Sequence, residues 1–131
     1  MIKGKALRKK TLQPIPRLKS KADRQLQDWH RNKYPNQKCE GECGRHFDVM
    51  HHFIEKSRSS RLRYEEINLV FLCHHCHSLH HRFGDSTIHA KIVLKRGAEW
   101  FGKIETLRRE YLDINNRKFL EGILVRYAID S

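Results

Sequence analysis

The sequence predicts an α+β fold: a small core of two strands and a helix, stapled by a four-cysteine metal site, with a basic arm before it and helices after it. Three observations carry this expectation. The four cysteines fall as two close pairs, Cys39/Cys43 and Cys73/Cys76. Two short stretches with strand character and a histidine-rich stretch with helical spacing lie around those pairs. The formal charge of +12 is uneven: residues 1–38 hold twelve Lys/Arg against Asp23 and Asp28, while residues 39–131 are nearly balanced.

Residues 1–22 contain Pro14 and Pro16 and show no apolar period, which predicts an extended or disordered basic arm. DRQLQDWHRNK, from Asp23 to about Lys33, permits a short helix with Leu26 and Trp29 on one side, ended by Tyr34-Pro35-Asn36. Gly41 and Gly44 suit a tight turn of the first cysteine pair. Phe47, Val49 and His51 then alternate with polar residues as on a strand. SRSSRLRYEE reads as a loop, and INLVFLC as a short apolar segment leading into the second pair. HHCHSLHHRF has helical spacing, with Gly84 as its stop. In the last third, Asp85, Ser86 or Thr87 can cap a helix, and Gly97 marks a break. Trp100, Ile104, Leu107 and Tyr111 share one helical face. After 113–116, Phe119, Leu120, Ile123, Leu124 and Tyr127 share another. The expected division is a basic flexible arm over 1–22, a zinc-stapled core with a leading helix over 23–84, and a helical extension over 85–131.

No apolar run approaches the length of a membrane span, and the N-terminus lacks the apolar region of a signal peptide. A soluble protein inside a cell is expected. In that setting paired cysteines point to metal rather than disulfides. Two knuckles facing each other would present four thiolates, a preferred tetrahedral set for structural zinc. A finger of two cysteines and two histidines does not close: twelve residues separate Cys76 from His89, but no second histidine follows at three to five.

The histidines are then surplus to the structural metal. His51 and His52 are neighbours on a candidate strand, so they face opposite ways. His77 and His81 lie four apart on a candidate helix, hence on one side of it. His51, His77 and His81 together offer three imidazoles to one cation and leave positions open for phosphate and water. His80 is an alternative to His81, and His74 and His75 face a ligand or solvent. His30, His46 and His89 read as surface or packing residues.

The pattern His51-His52, Asn68, His77, His81 resembles the HNH, or ββα-metal, nucleases over roughly residues 37–84. The doubled histidine and H-x3-H ending look like DNase colicins, and the interleaved cysteine pairs look like zinc-ribbon HNH proteins of phages and restriction systems. The Cys39-x3-Cys43 knuckle is one residue wider than is usual there. By this resemblance His51, His77 and His81 are the metal ligands and His52 is the general base. Asn68 is the central asparagine, which orients the loop or the base and in some relatives binds the metal itself. The implied activity is metal-dependent DNA cleavage to 5′-phosphate and 3′-hydroxyl ends, with Mg2+, Mn2+, Ni2+ or Zn2+ as catalytic cation. The rival expectations are a zinc-binding DNA-binding module without catalysis and an RNA nuclease.

Lys56, Arg58, Arg61 and Arg63 lie between the two candidate strands, among serines that allow close approach to phosphate. With the basic arm they predict salt-sensitive binding with little sequence readout. A fainter resemblance of the whole order, including KRGAEWFGKIETLRREY, is to phage recombination nucleases of the Rap/NinG type. It implies branched DNA as substrate and the cytoplasm of a bacterial or phage-infected cell. A homodimer would suit paired-strand cutting, although no interface is marked in the sequence.

Overall fold

The computed structural model describes residues 12–83 and 86–129, with the side chains of 81–83 left aside. Helix α1 spans Ile15–Lys33, strand β1 Val49–His52, and a 3-10 turn at Glu66–Asn68 leads into strand β2, Leu69–Leu72. Helices α2 (His74–Phe83), α3 (Thr87–Arg96), α4 (Ala98–Arg108) and α5 (Arg117–Arg126) follow. The strands form an antiparallel pair in which His51 faces Val70 and His52 faces Leu69. The α+β class and the two strands leading into a helix agree with the sequence reading. None of the described helices is long and apolar enough to cross a membrane.

Helix α1 corrects one expectation. It begins at Ile15, inside the stretch read as an extended arm, rather than near Asp23. Pro14 is its N-cap and Pro16 lies in its first turn, where a fixed φ and a missing N–H cost nothing. Leu18, Ala22, Leu26 and His30 then recur every fourth residue and are all buried. That stripe is thinner than a typical apolar face, because Ala and His interrupt it among lysines and arginines. Residues 1–11 of the expected arm lie outside the described residues.

The sheet separates two cores. Because side chains alternate along a strand, Leu69 and Phe71 pack with Met50, α1 and α5, where Leu120, Ile123 and Tyr127 are buried. Val70 and Leu72 point the other way, against Phe53, Cys73, Cys76 and the buried Ile88, Ile92 and Ile104 of α3 and α4. All four β2 residues are buried, so the segment is apolar throughout rather than alternating.

The C-terminal helices follow the predicted breaks with two changes. Gly97 adopts φ 96° between α3 and α4, a conformation that disfavours other residues. Asn116 caps α5, its side chain accepting from the Phe119 N–H at 3.0 Å. Ser86 precedes α3 without a side-chain capping bond, and Asp85 and Gly84 fall outside the described residues. Tyr111, expected on the face of Ile104, lies beyond the end of α4 and is 83% exposed. Its spacing fits the helical repeat, but α4 ends at Arg108 before reaching it.

Candidate metal centre and active site

The four cysteines converge. Their sulfurs all lie within 4.8 Å of one another, and Cys43 Sγ is 3.5 Å from Cys73 Sγ. Zinc–sulfur bonds of about 2.3 Å in a tetrahedron put sulfurs about 3.8 Å apart, so the set fits a zinc ion. The widened first knuckle is accommodated by its backbone: Glu42 adopts φ 61° and Gly44 φ 80°. Gly41 is required by contact, since a Cβ there would sit 2.8 Å from Cys76 Sγ. Backbone N–H groups already point at two sulfurs, Gly41 to Cys39 at 3.3 Å and Cys76 to Cys73 at 3.4 Å.

Burial raises the pKa of the Cys39 and Cys76 thiols. At Cys73 burial pushes the same way, but the Cys76 N–H and the neighbouring thiols outweigh it and bring the thiol to about 7. A cation that binds all four as thiolates therefore displaces protons as it enters.

The knuckle is tied to the helical extension by a partly buried ion pair. Arg96 of α3 donates two bonds of 2.7 Å to Glu40 and a third of 3.1 Å to the Leu69 carbonyl. Glu40 also accepts from the Phe71 N–H at 2.8 Å. One carboxylate thus joins the first knuckle, strand β2 and α3.

The histidine doublet is split by the strand. Met50 and His52 share the face toward α1, and His51 points to the opposite face, toward α2 and α3. His52 is half-buried and lines a cleft of about 800 Å3 with Asp23, Arg24 and Gln27 of α1 and with Lys56, Ser57 and His77. Its Nε2 lies 3.0 Å from the Arg63 carbonyl oxygen. A carbonyl only accepts, so this bond places the proton on Nε2 and leaves Nδ1 as the basic nitrogen of the neutral ring. Burial is the main cause that lowers the His52 pKa, with Lys56 adding to it and the Arg63 carbonyl opposing.

Asn68 is fully buried, and every contact of its side chain is to the loop between the strands. Oδ1 accepts from the Ile54 N–H at 2.9 Å, while Nδ2 donates to the Ile54 carbonyl at 3.0 Å and the Leu62 carbonyl at 3.5 Å. The Asn68 carbonyl accepts from the Phe53 N–H at 2.8 Å. Asn68 therefore holds the loop whose Arg63 carbonyl orients His52. Of the three roles that the resemblance leaves open to it, these bonds fit the one that holds the loop.

The ligand atoms of His51, His80 and His89 lie within 4.8 Å of one another. His51 Nε2 is 3.2 Å from His89 Nε2, and the His80 and His89 rings stack at 4.1 Å. His77 is close, its ring 5.3 Å from that of His51, and it also lines the cleft. The side chain of His81 lies outside the described residues. His89 reads from sequence as a surface or packing residue, and the structure brings it to this group. The one signal for it in the sequence is the spacing of twelve residues between Cys76 and His89, which suits half of a two-cysteine, two-histidine finger.

The four loop cations separate into two kinds. Lys56 and Arg58 are exposed, each within salt-bridge distance of one carboxylate, Asp23 at 3.7 Å and Glu55 at 3.9 Å. Arg63 makes two bonds to Asp23, at 2.8 and 3.3 Å. Arg61 is shared between Glu65 at 2.9 Å and Glu110 at 3.3 Å. Arg61 and Arg63 are thus engaged in holding the loop.

Residues 39–83 match the family model described as HNH endonuclease, about a third of the chain. The match spans both cysteine knuckles, the histidine doublet, Asn68 and all of α2. No curated protein and no solved structure matches the chain.

Proposed function

We propose, on the premise of the HNH endonuclease match at residues 39–83, that this protein is a metal-dependent DNA endonuclease with His52 as general base. The observation that carries the reading is the His52 ring, held at the cleft by the Arg63 carbonyl with Nδ1 as its basic nitrogen. In this reading Nδ1 takes a proton from the attacking water as its oxygen bonds to phosphorus. The bond to the 3′-oxygen breaks, that oxygen is protonated by solvent, and the ends are 5′-phosphate and 3′-hydroxyl.

His51, which lines the same cleft although its ring turns toward α2, holds the catalytic cation with imidazoles of α2. The sequence reading draws these from His77 and His81, and the converging ring nitrogens favour His80. A bound divalent cation neutralises charge building on the phosphate and the departing oxygen. Imidazole sets accept Mg2+ poorly and Mn2+, Ni2+ or Zn2+ more readily. The four cysteines hold a structural zinc.

Lys56 and Arg58 contact phosphate beside the cleft. Arg24 and Ser20 line both this cleft and a basic groove with Arg17 and Lys21, which extends the same path along α1. Phosphate contacts of this kind carry no sequence information, so the expected substrate is DNA of little sequence specificity, with branched forms included.

The test is cleavage by wild type and His52→Ala at equal zinc content, on plasmid, four-way-junction and flap DNA with an RNA control. Wild type should cut and His52→Ala should lose at least about a hundredfold in rate. Equal cleavage by both proteins, or none by either, sinks the reading. Binding without cutting would mark a DNA-binding module, and cutting confined to the RNA control would mark an RNA nuclease.

A further inference from the structure

We infer that His89, carried by α3 outside the segment matched by the family model, is a direct ligand of the second cation together with His51 and His80. The inference rests on the metal-dependent reading above and adds to it a ligand from the C-terminal extension. The three imidazoles come from three elements: β1, α2 and α3. Metal–nitrogen bonds of about 2.1 Å place adjacent ligand nitrogens about 3.0 to 3.4 Å apart. The Nε2 atoms of His51 and His89 are separated by 3.2 Å, inside that interval.

His89 is held there by packing. Ile88 beside it and Ile92 one turn on are buried in the second core. Phe53 stacks on the His89 ring at 4.3 Å and is itself met edge-on by Trp100 at 4.9 Å. Trp100 in turn donates to the Ile67 carbonyl at 3.0 Å. Packing on Phe53 accounts for the ring's plane. An imidazole–imidazole hydrogen bond joins His51 to His89, and the His80 nitrogen converges on the same point, an arrangement of three imidazoles that a cation would hold and protonation would drive apart. Cation binding at this point also fastens α3 to β1, in addition to the Arg96–Glu40 pair that ties α3 to the first knuckle.

The test uses the full chain with the cysteine site loaded with zinc, verified by elemental analysis, and Ni2+ as the probe for the second site. Titration calorimetry should show a second-site affinity in wild type that falls at least about tenfold in His89→Gln, with zinc content unchanged. In wild type, Zn2+ added to the second site should also move the nitrogen-15 resonance of His89 Nε2. That measurement decides the matter if His89→Gln does not fold. An unmoved His89 resonance, or wild-type affinity in His89→Gln, overturns the inference and leaves the nuclease reading standing. Absence of any second cation in wild type overturns both.

Discussion

At the scale of single residues, the structure gives distinct tasks to histidines that look alike in sequence. His52 is oriented by a carbonyl, His51 points at other imidazoles, and His30 is packed in the first core. The His30 ring is 3% exposed, stacks on Phe71 at 4.9 Å and has Nδ1 3.2 Å from Met50 Sδ. Burial lowers its pKa to about 4, with Glu66 opposing. A base depressed in the folded state binds more protons when unfolded. Its contribution is therefore complete above the unfolded value near 6.5 and is lost as pH falls toward 4. Urea unfolding of wild type at pH 7.5 and pH 5 should show a stability loss larger by about 2 kcal/mol than that of His30→Phe. Equal losses in the two proteins would show that His30 is not held neutral by the fold.

At the scale of elements, the first cysteine knuckle depends on backbone more than on side chains. The extra residue in Cys39-x3-Cys43 is absorbed by Glu42 and Gly44 at positive φ, and Gly41 passes against Cys76. Gly41→Ala should therefore raise the rate of zinc release to a chelator and lower stability by about 2 kcal/mol, whereas Gly44→Asn should be nearly neutral. Zinc release at the wild-type rate in Gly41→Ala would show that the knuckle yields easily. Much of this level was legible in advance: the cysteine pairs, the histidine-bearing strand, α2 and the break at Gly97 all follow from local spacing. The start of α1 was not legible, because Leu18, Ala22 and Leu26 declare a face only once a sheet and α5 lie against them. The end of α4 was misread for a related reason. Tyr111 continues the repeat in sequence, but the helix stops at Arg108 and the tyrosine is exposed.

At the scale of the whole molecule, the charge of +12 is distributed between cations that hold the fold and cations that face solvent. Arg63, Arg61 and Arg96 are committed to Asp23, Glu65 and Glu40. Lys56 and Arg58, with Arg17, Lys21 and Arg24 on α1, present charge around the cleft. Each lysine or arginine that neutralises a phosphate contributes about 0.9 to the slope of log affinity against log salt. The Lys56→Ala/Arg58→Ala double variant should lower that slope for duplex DNA by about 1.8 while still binding zinc. An unchanged slope would remove these two side chains from the DNA path.

Residue types and spacing alone determined that this chain carries two cysteine knuckles, a histidine doublet on a strand and a histidine-bearing helix, because each is set by neighbours within a few positions. Which histidines meet was decided only by tertiary structure. His51, His80 and His89 come from a strand and two separate helices, and the last is brought in by the packing of Ile88 and Ile92 and by the Arg96–Glu40 pair. Periodicity records which face of a helix is buried but not what it is buried against, so a ligand delivered by a docked helix leaves no local mark.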